Sequence, residues 1–195
     1  MLCIGIVGNA EIKQTMEFLI RLYNKENKKV FCKVFNEIGQ LKQTLNNAIN
    51  SNKDIFIAAM NFKIILENKL NSIFDILIIT SGNNGNEIQK TKLTELLRKS
   101  GILIINSDDK TIFPFSIAVG TTLISCGFNG RSSVTTSSMM DNKLQCCVQR
   151  NIKTISGSIV EPQEFTINLD EGRRNISSVL MAVTAAMADD SSVCP

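Results

Sequence analysis

The chain has 195 residues, 44% of them hydrophobic and 20% charged, which suits one domain with a substantial core and excludes a disordered segment. Its formal net charge of +3 is mild and its lysines are dispersed, which speaks against a nucleic-acid partner. It contains no histidine, so imidazole general-base catalysis, His-dependent nucleophiles and His-ligated metal sites are excluded.

The run Ile4-Gly5-Ile6-Val7-Gly8-Asn9-Ala10-Glu11-Ile12-Lys13-Gln14-Thr15 reads as a buried strand, a tight turn and the start of a helix. A phosphate-binding loop has that frame: glycines let backbone N–H groups cradle phosphate, and a lysine neutralises it at the helix N-terminus. Gly8 is kept, but the second glycine position carries Glu11 and the lysine position falls on Ile12. Lys13 reaches the phosphate only if the loop is one residue longer. Asn9 suits the turn because asparagine tolerates the left-handed conformation.

Apolar runs follow at residues 30–35, 54–59, 76–80 and 102–106, separated by amphipathic stretches at 12–26, 38–50, 62–69 and 88–99. Short apolar strands alternating with helix-period segments predict βαβ units and a mostly parallel, Rossmann-like sheet flanked by helices. Residues 1–109 form this βαβ half. From 110 to 171 the pattern changes to short strands at 117–119, 123–128, 133–140, 144–149, 153–160 and 165–169, with turn chemistry at Gly127-Phe128-Asn129-Gly130, Asp141-Asn142 and Gly157-Ser158. This predicts an antiparallel β extension in the C-terminal third of an α/β domain. A last helix is expected over 172–188, starting near Arg173, with a frayed tail over 189–195.

The six cysteines show no C-x-x-C pair and no secretory framework, and Cys3 and Cys32 sit inside apolar strands. No apolar run approaches the roughly 18 residues of a membrane span, and no signal peptide is evident. A cytoplasmic protein with reduced thiols and no membrane partner is expected.

Several segments together resemble the central ATP-binding domain of the Mur ligase family, which includes the folylpolyglutamate synthetases. Residues 4–30 resemble the family's strand, G-T-N-G-K-[ST]-[ST] loop and first helix. Phe74-Asp75-Ile76-Leu77-Ile78-Ile79-Thr80 resembles its strand ending in Thr-Asn, and Ile105-Asn106-Ser107-Asp108-Asp109 its N-x-D-D strand end. Ser125-Cys126-Gly127-Phe128-Asn129 resembles the turn that opens its antiparallel strands, and Gly172-Arg173-Arg174-Asn175-Ile176 its G-x-H-N-[VI] helix start.

The resemblance implies ATP and magnesium as cofactors and a carboxylate–amine ligation. It points to Gly8, Asn9, Lys13, Thr15, Asn106, Asp108, Asp109, Arg174 and Asn175 as candidate nucleotide-binding residues. The departures weaken the case for both cofactors. Glu11 stands for glycine, Ile12 for lysine and Lys13 for the first magnesium-binding hydroxyl, while the magnesium-binding Glu falls on Ala58. Residues 81–86 are too short for the family's DHLD-type loop. The lysine that some members carbamylate falls near Lys90 or Lys92, where a solvated helix face reads better. Arg174 replaces a histidine, and Ser178 a second asparagine. Asp108 and Asp109 either serve a ligand at the sheet's carboxyl edge or cap their strand. Asn175 either faces a nucleotide or caps its helix.

No catalytic residue and no metal ligand is assigned. The leading reading is a stand-alone, non-catalytic binding or regulatory module linked to peptidoglycan metabolism, since neither flanking domain of the family is expected in the chain. One alternative is a component of a split Mur-type amide ligase. Another is a generic nucleotide-binding Rossmann-like protein, though the first turn lacks G-x-G-x-x-G. Expected partners are other cell-wall enzymes, a separate chain resembling the family's C-terminal domain, or a second copy.

Overall fold

The structure, a computed structural model, describes residues 1–8, 11–62, 64, 72–82, 95–112, 119–140, 142–169 and 175–191. Leu2–Gly8 forms strand β1, all but its first residue buried. Helix α1 (Ile12–Lys25) returns to β2 (Val30–Phe35), and α2 (Ile38–Asn50) leads to β3 (Ile55–Asn61). Then come β4 (Phe74–Ile79), β5 (Leu97–Asn106), β6 (Thr122–Cys126), β7 (Val134–Met140), β8 (Lys143–Val148), β9 (Ile152–Lys153), β10 (Ile159–Val160), β11 (Gln163–Asn168) and a last helix α3 (Ile176–Ala188).

The main sheet has the order β11-β8-β7-β6-β5-β4-β1-β3-β2. From β2 to β6 every neighbouring pair is parallel. The two-residue side-chain period splits the strands cleanly. Ile4, Ile6, Ile57, Ile78 and Ile104 face the layer made by α1 and α3, whereas Cys3, Val7, Phe56, Leu77 and Ile105 face the opposite layer with Leu41 of α2. Each fully buried Ile or Leu contributes about 1.5–3 kcal/mol, so these alternating rows carry the stability of the sheet.

Several expectations are corrected. Residues 123–128 were expected to open the antiparallel part, but β6 runs parallel to β5, and β7 touches β6 in parallel through one pair, Cys126 and Val134. The antiparallel extension is β7, β8 and β11. Leu97–Lys99 open β5 instead of closing a helix, because Arg98 reaches across to Asp75 (2.8 Å), whose other oxygen accepts the Cys3 N–H (2.8 Å). Residues 153–160 are not one strand: Gly157, at φ +93°, turns the chain so that β9 and β10 pair as a separate hairpin. Val119 lies in a turn, not a strand. The tail is tied down at its start, where Lys28 Nζ donates to Asp189 (3.2 Å) and Ser191 (2.6 Å). Of the expected helix at 62–69, Phe62 and Ile64 are helical and the rest lies outside the described residues, as do 88–94 with Lys90 and Lys92, the strand positions 117–118, and 172–174.

Helix α3 is buried from Ser178 to Ala188. A helix apolar on every side belongs in a core. It lies on the sheet beside α1, and the β9–β10 hairpin caps its end through the Ile155 N–H to Ala188 C=O bond (2.8 Å). Its Ala182, Ala185 and Ala186 are all fully buried. Ala185→Leu is expected to lower unfolding stability by about 1–3 kcal/mol through overpacking. Ile49→Ala on the exposed face of α2 should change it by less than about 0.5 kcal/mol. Paired urea melts check both values.

Candidate functional site

The carboxyl ends of β1, β4, β5 and β6 meet along one edge of the sheet. Strand β1 lies between β3 and β4, and the chain leaves it toward β2 on one side and later returns as β4 on the other. Open α/β sheets bind ligands at such a reversal. Gly8 ends β1, and a Cβ there would collide with Thr80 Oγ1 after β4. Thr80 is held by its N–H bond to Val7 C=O (2.9 Å).

Beyond this edge α1 begins. Ile12, at the position where a phosphate lysine was sought, is buried in the core against the sheet. Lys13 is exposed, and Thr15 is fully buried. Glu11 occupies the N-cap position of α1, yet its side chain caps no helix N–H. Its Oε1 instead accepts a hydrogen bond from Asn175 Nδ2 at 2.5 Å, joining residues 164 positions apart. Asn175 is also the N-cap of α3, its Oδ1 accepting from the N–H groups of Ser177 (2.9 Å) and Ser178 (3.4 Å). One asparagine therefore starts α3 and clamps it to the start of α1. Burial pushes the Glu11 carboxyl up, the bond from Asn175 pulls it down, and the charge of Asp109 adds to the net rise.

The end of β5 supplies four polar residues in a row. Asn106 is buried and its Oδ1 accepts the Asp108 N–H (3.0 Å). Ser107 Oγ donates to Cys126 C=O (2.9 Å) and lies 2.7 Å from Ser132 Oγ. Asp108 accepts from the Phe128 N–H (2.7 Å) and from Asn129 Nδ2 (3.1 Å), so it ties β5 to the turn after β6. Asp109 accepts from the Gly82 N–H (2.7 Å), the Thr111 N–H (2.9 Å) and Thr111 Oγ1 (2.6 Å). Partial burial would raise the Asp109 carboxyl, but the bonds from Thr111 and Gly82 outweigh it and hold it below the ordinary range.

The edge thus gathers Gly8, Asn106, Asp108, Asp109 and Asn175. Lys13 is exposed, and Asn9 and Arg174 lie outside the described residues. Glu11, absent from the candidate set, is the residue that links both helices. Its place in the loop marked it as unusual, but no local pattern identifies Asn175 as its partner. At the opposite, amino edge a cavity of about 470 Å³ is lined by Glu26, Lys28, Asp54 and Asp189, with Lys28 paired to Glu26 (3.1 Å) and Asp189. Among the described residues no group of three or more Cys, Asp or Glu could hold a metal ion, and no helix is long and apolar enough to cross a membrane. Complete burial pushes the Cys126 thiol up to about 12, so it is no nucleophile.

No protein-family model matches the chain, and no curated protein does. Solved structures do. A UDP-N-acetylmuramoyl-L-alanyl-D-glutamate–2,6-diaminopimelate ligase superposes with a TM-score of 0.74 at 12% identity, over 96% of this chain and 43% of the ligase. The MurF ligase of Thermotoga maritima, solved with ADP, gives 0.57 at 16% identity over 95% of this chain and 44% of its own. E. coli FolC, solved with DHPP and ADP, gives 0.60 at 12% identity over 96% and 53%. The chain has the fold shared by Mur ligases and folylpolyglutamate synthases, and it spans about half the length of those proteins.

The Asp109 tie makes an acid-side prediction. A carboxyl titrating below the ordinary value of about 3.9 contributes stability that is complete above that pH and is lost as pH falls through its folded-state value. Asp109→Asn should therefore flatten part of the loss of unfolding stability below about pH 4. Urea melts from neutral pH downward check this, and an unchanged acid slope would contradict it.

Proposed function

We propose that this chain is a Mur-ligase-like domain that keeps the fold, has given up the ligation chemistry, and serves as a binding or regulatory module in peptidoglycan metabolism. The observation that carries this reading is the Glu11 carboxylate at the start of α1, held there by Asn175. A helix N-terminus attracts phosphate through its free N–H groups and dipole. A carboxylate in that place repels it, by about 4 kcal/mol for unit charges 4 Å apart at a near-surface dielectric.

The chain's residues do not fit a magnesium nucleotide. Ile12 is committed to the core and carries no charge. Ala58, at the magnesium carboxylate position, is fully buried in β3 between β1 and β2. Phosphoryl transfer depends on positioning and charge stabilisation, and losing one donor typically costs about 3–4 kcal/mol of barrier. Here the lysine, the hydroxyl and the carboxylate are absent together, and the exposed Lys13 is a single group on the wrong register.

One observation favours a second reading, the component of a split ATP-dependent amide ligase. That observation is the fold it shares with ATP-dependent ligases, and in this reading a separate chain resembling the family's C-terminal domain would be the partner. In the first reading the partners are other cell-wall enzymes in the cytoplasm.

Isothermal titration with Mg-ATP, Mg-ADP and a UDP-muramoyl peptide tests both. The expected result is no heat and no thermal shift at millimolar nucleotide. Magnesium-dependent ATP binding at micromolar concentration would overturn the non-catalytic reading and favour the split ligase.

A further inference from the structure

Among the described residues, the main sheet ends in two edge strands. Strand β2 pairs with β3 alone and β11 with β8 alone, so each turns a row of backbone N–H and C=O groups outward. Strands β2 to β7 run the same way, β8 reverses and β11 reverses again. The two edge strands therefore run parallel to each other, and both are six residues long.

Their faces also correspond. In β2, Val30 and Val34 pack toward the α1–α3 layer, with the exposed Cys32 between them. Phe31 and Phe35 turn to the α2 layer, with the exposed Lys33 between them and its Nζ 5.5 Å from the Phe35 ring centre. In β11, Phe165 and Ile167 belong to the α1–α3 layer. The two-residue period then sends the exposed Glu164 to the opposite face, which is the face of Lys33. Joined as one continuous sheet, the two strands set apolar rows beside apolar rows and Lys33 beside Glu164. The exposed Lys29 just before β2 and the exposed Glu161 just before β11 repeat the opposition of charge at the same end.

We propose that the β2 edge of one copy pairs in parallel with the β11 edge of a second copy, extending the sheet head to tail. A lysine on an edge strand ordinarily blunts pairing. Here it blunts the pairing of like edges. Two β2 edges would bring Lys33 toward Lys33, two β11 edges Glu164 toward Glu164, and like charges on facing strands destabilise. The unlike edges are complementary. Because they are different surfaces, the contact does not close as a two-fold dimer does, and each added copy offers a fresh edge. A six-residue strand pair is smaller than a stable interface, so the association is weak and grows with concentration. Neither strand holds a candidate nucleotide residue, so Mg-ATP binding is read separately.

The first test is sedimentation velocity of the whole chain in low salt, from micromolar to millimolar concentration. The weight-average mass should climb past that of a dimer and fall back when added salt screens the charges. Lys33→Glu and Glu164→Lys, both at exposed positions, should each abolish the climb, and the double exchange should restore it. A covalent trap then fixes the geometry. With Lys33 beside Glu164, Cys32 stands beside Gln163, about 4.8 Å away for neighbouring strands and within disulfide reach. Under air oxidation Gln163→Cys should give a ladder of dimers, trimers and longer species on non-reducing gels, and adding Cys32→Ser should erase it. A mass that stays monomeric across the whole range would overturn the proposal. So would association that ignores the charge exchange, or a Cys32 disulfide in the unmodified chain that stops at the dimer, the mark of two β2 edges meeting.

Discussion

Strand β1 is paired on both edges and covered on both faces, and this constraint shapes the rest of the molecule. Its pairing with β3 and β4 uses its backbone groups, while α1 and α3 close one face and the α2 layer the other. No polar side chain has room along it. Charge and hydrogen-bonding chemistry can therefore appear only where the parallel strands end, which is why Asn106, Asp108, Asp109, Thr80 and Glu11 crowd one edge. Ile12, in the first turn of α1, packs into this core and brings no charge to the edge.

At that edge the molecule satisfies itself. Asp108 and Asp109 bind loop N–H groups, Asn106 closes its own turn, and Asn175 spends one end on capping α3 and the other on Glu11. A site built for a ligand leaves some of its donors open. Here these groups are spent on each other and on loop backbone. The shared fold explains the scaffold, and the proposed non-catalytic reading rests on the Glu11–Asn175 bond.

Much of this was legible in the sequence, and for physical reasons. Strands buried on both faces must be continuous apolar runs, so β1 to β5 announce themselves, and the switch to short strands after residue 110 marks the antiparallel part. Direction was not legible for β6, because Gly127 and Gly130 follow the strand and their turn chemistry says nothing of how it pairs with β5. Nor was the start of β5, since Leu97-Arg98-Lys99 has helical spacing and only Asp75, 23 residues earlier, draws it into the sheet. Residues 153–160 have strand composition throughout, and the left-handed Gly157 decides otherwise. Gly8, Asn106 and both aspartates were recognised as edge residues, but their partners lie in other loops. Above all, Glu11 and Asn175 each looked like a local feature, an altered loop and a helix cap, and their union depends on two helices packing together.

The bond between those two residues is the centre of the account, and the side-chain amide of Asn175 reports on it directly. In a ¹⁵N-labelled sample its NH₂ resonances should be shifted and slow to exchange, should collapse in Glu11→Ala, and should stay in place as Mg-ATP is raised to millimolar concentration. A saturable movement of those resonances with Mg-ATP would mean that nucleotide opens the bond and enters the crevice, which contradicts the account.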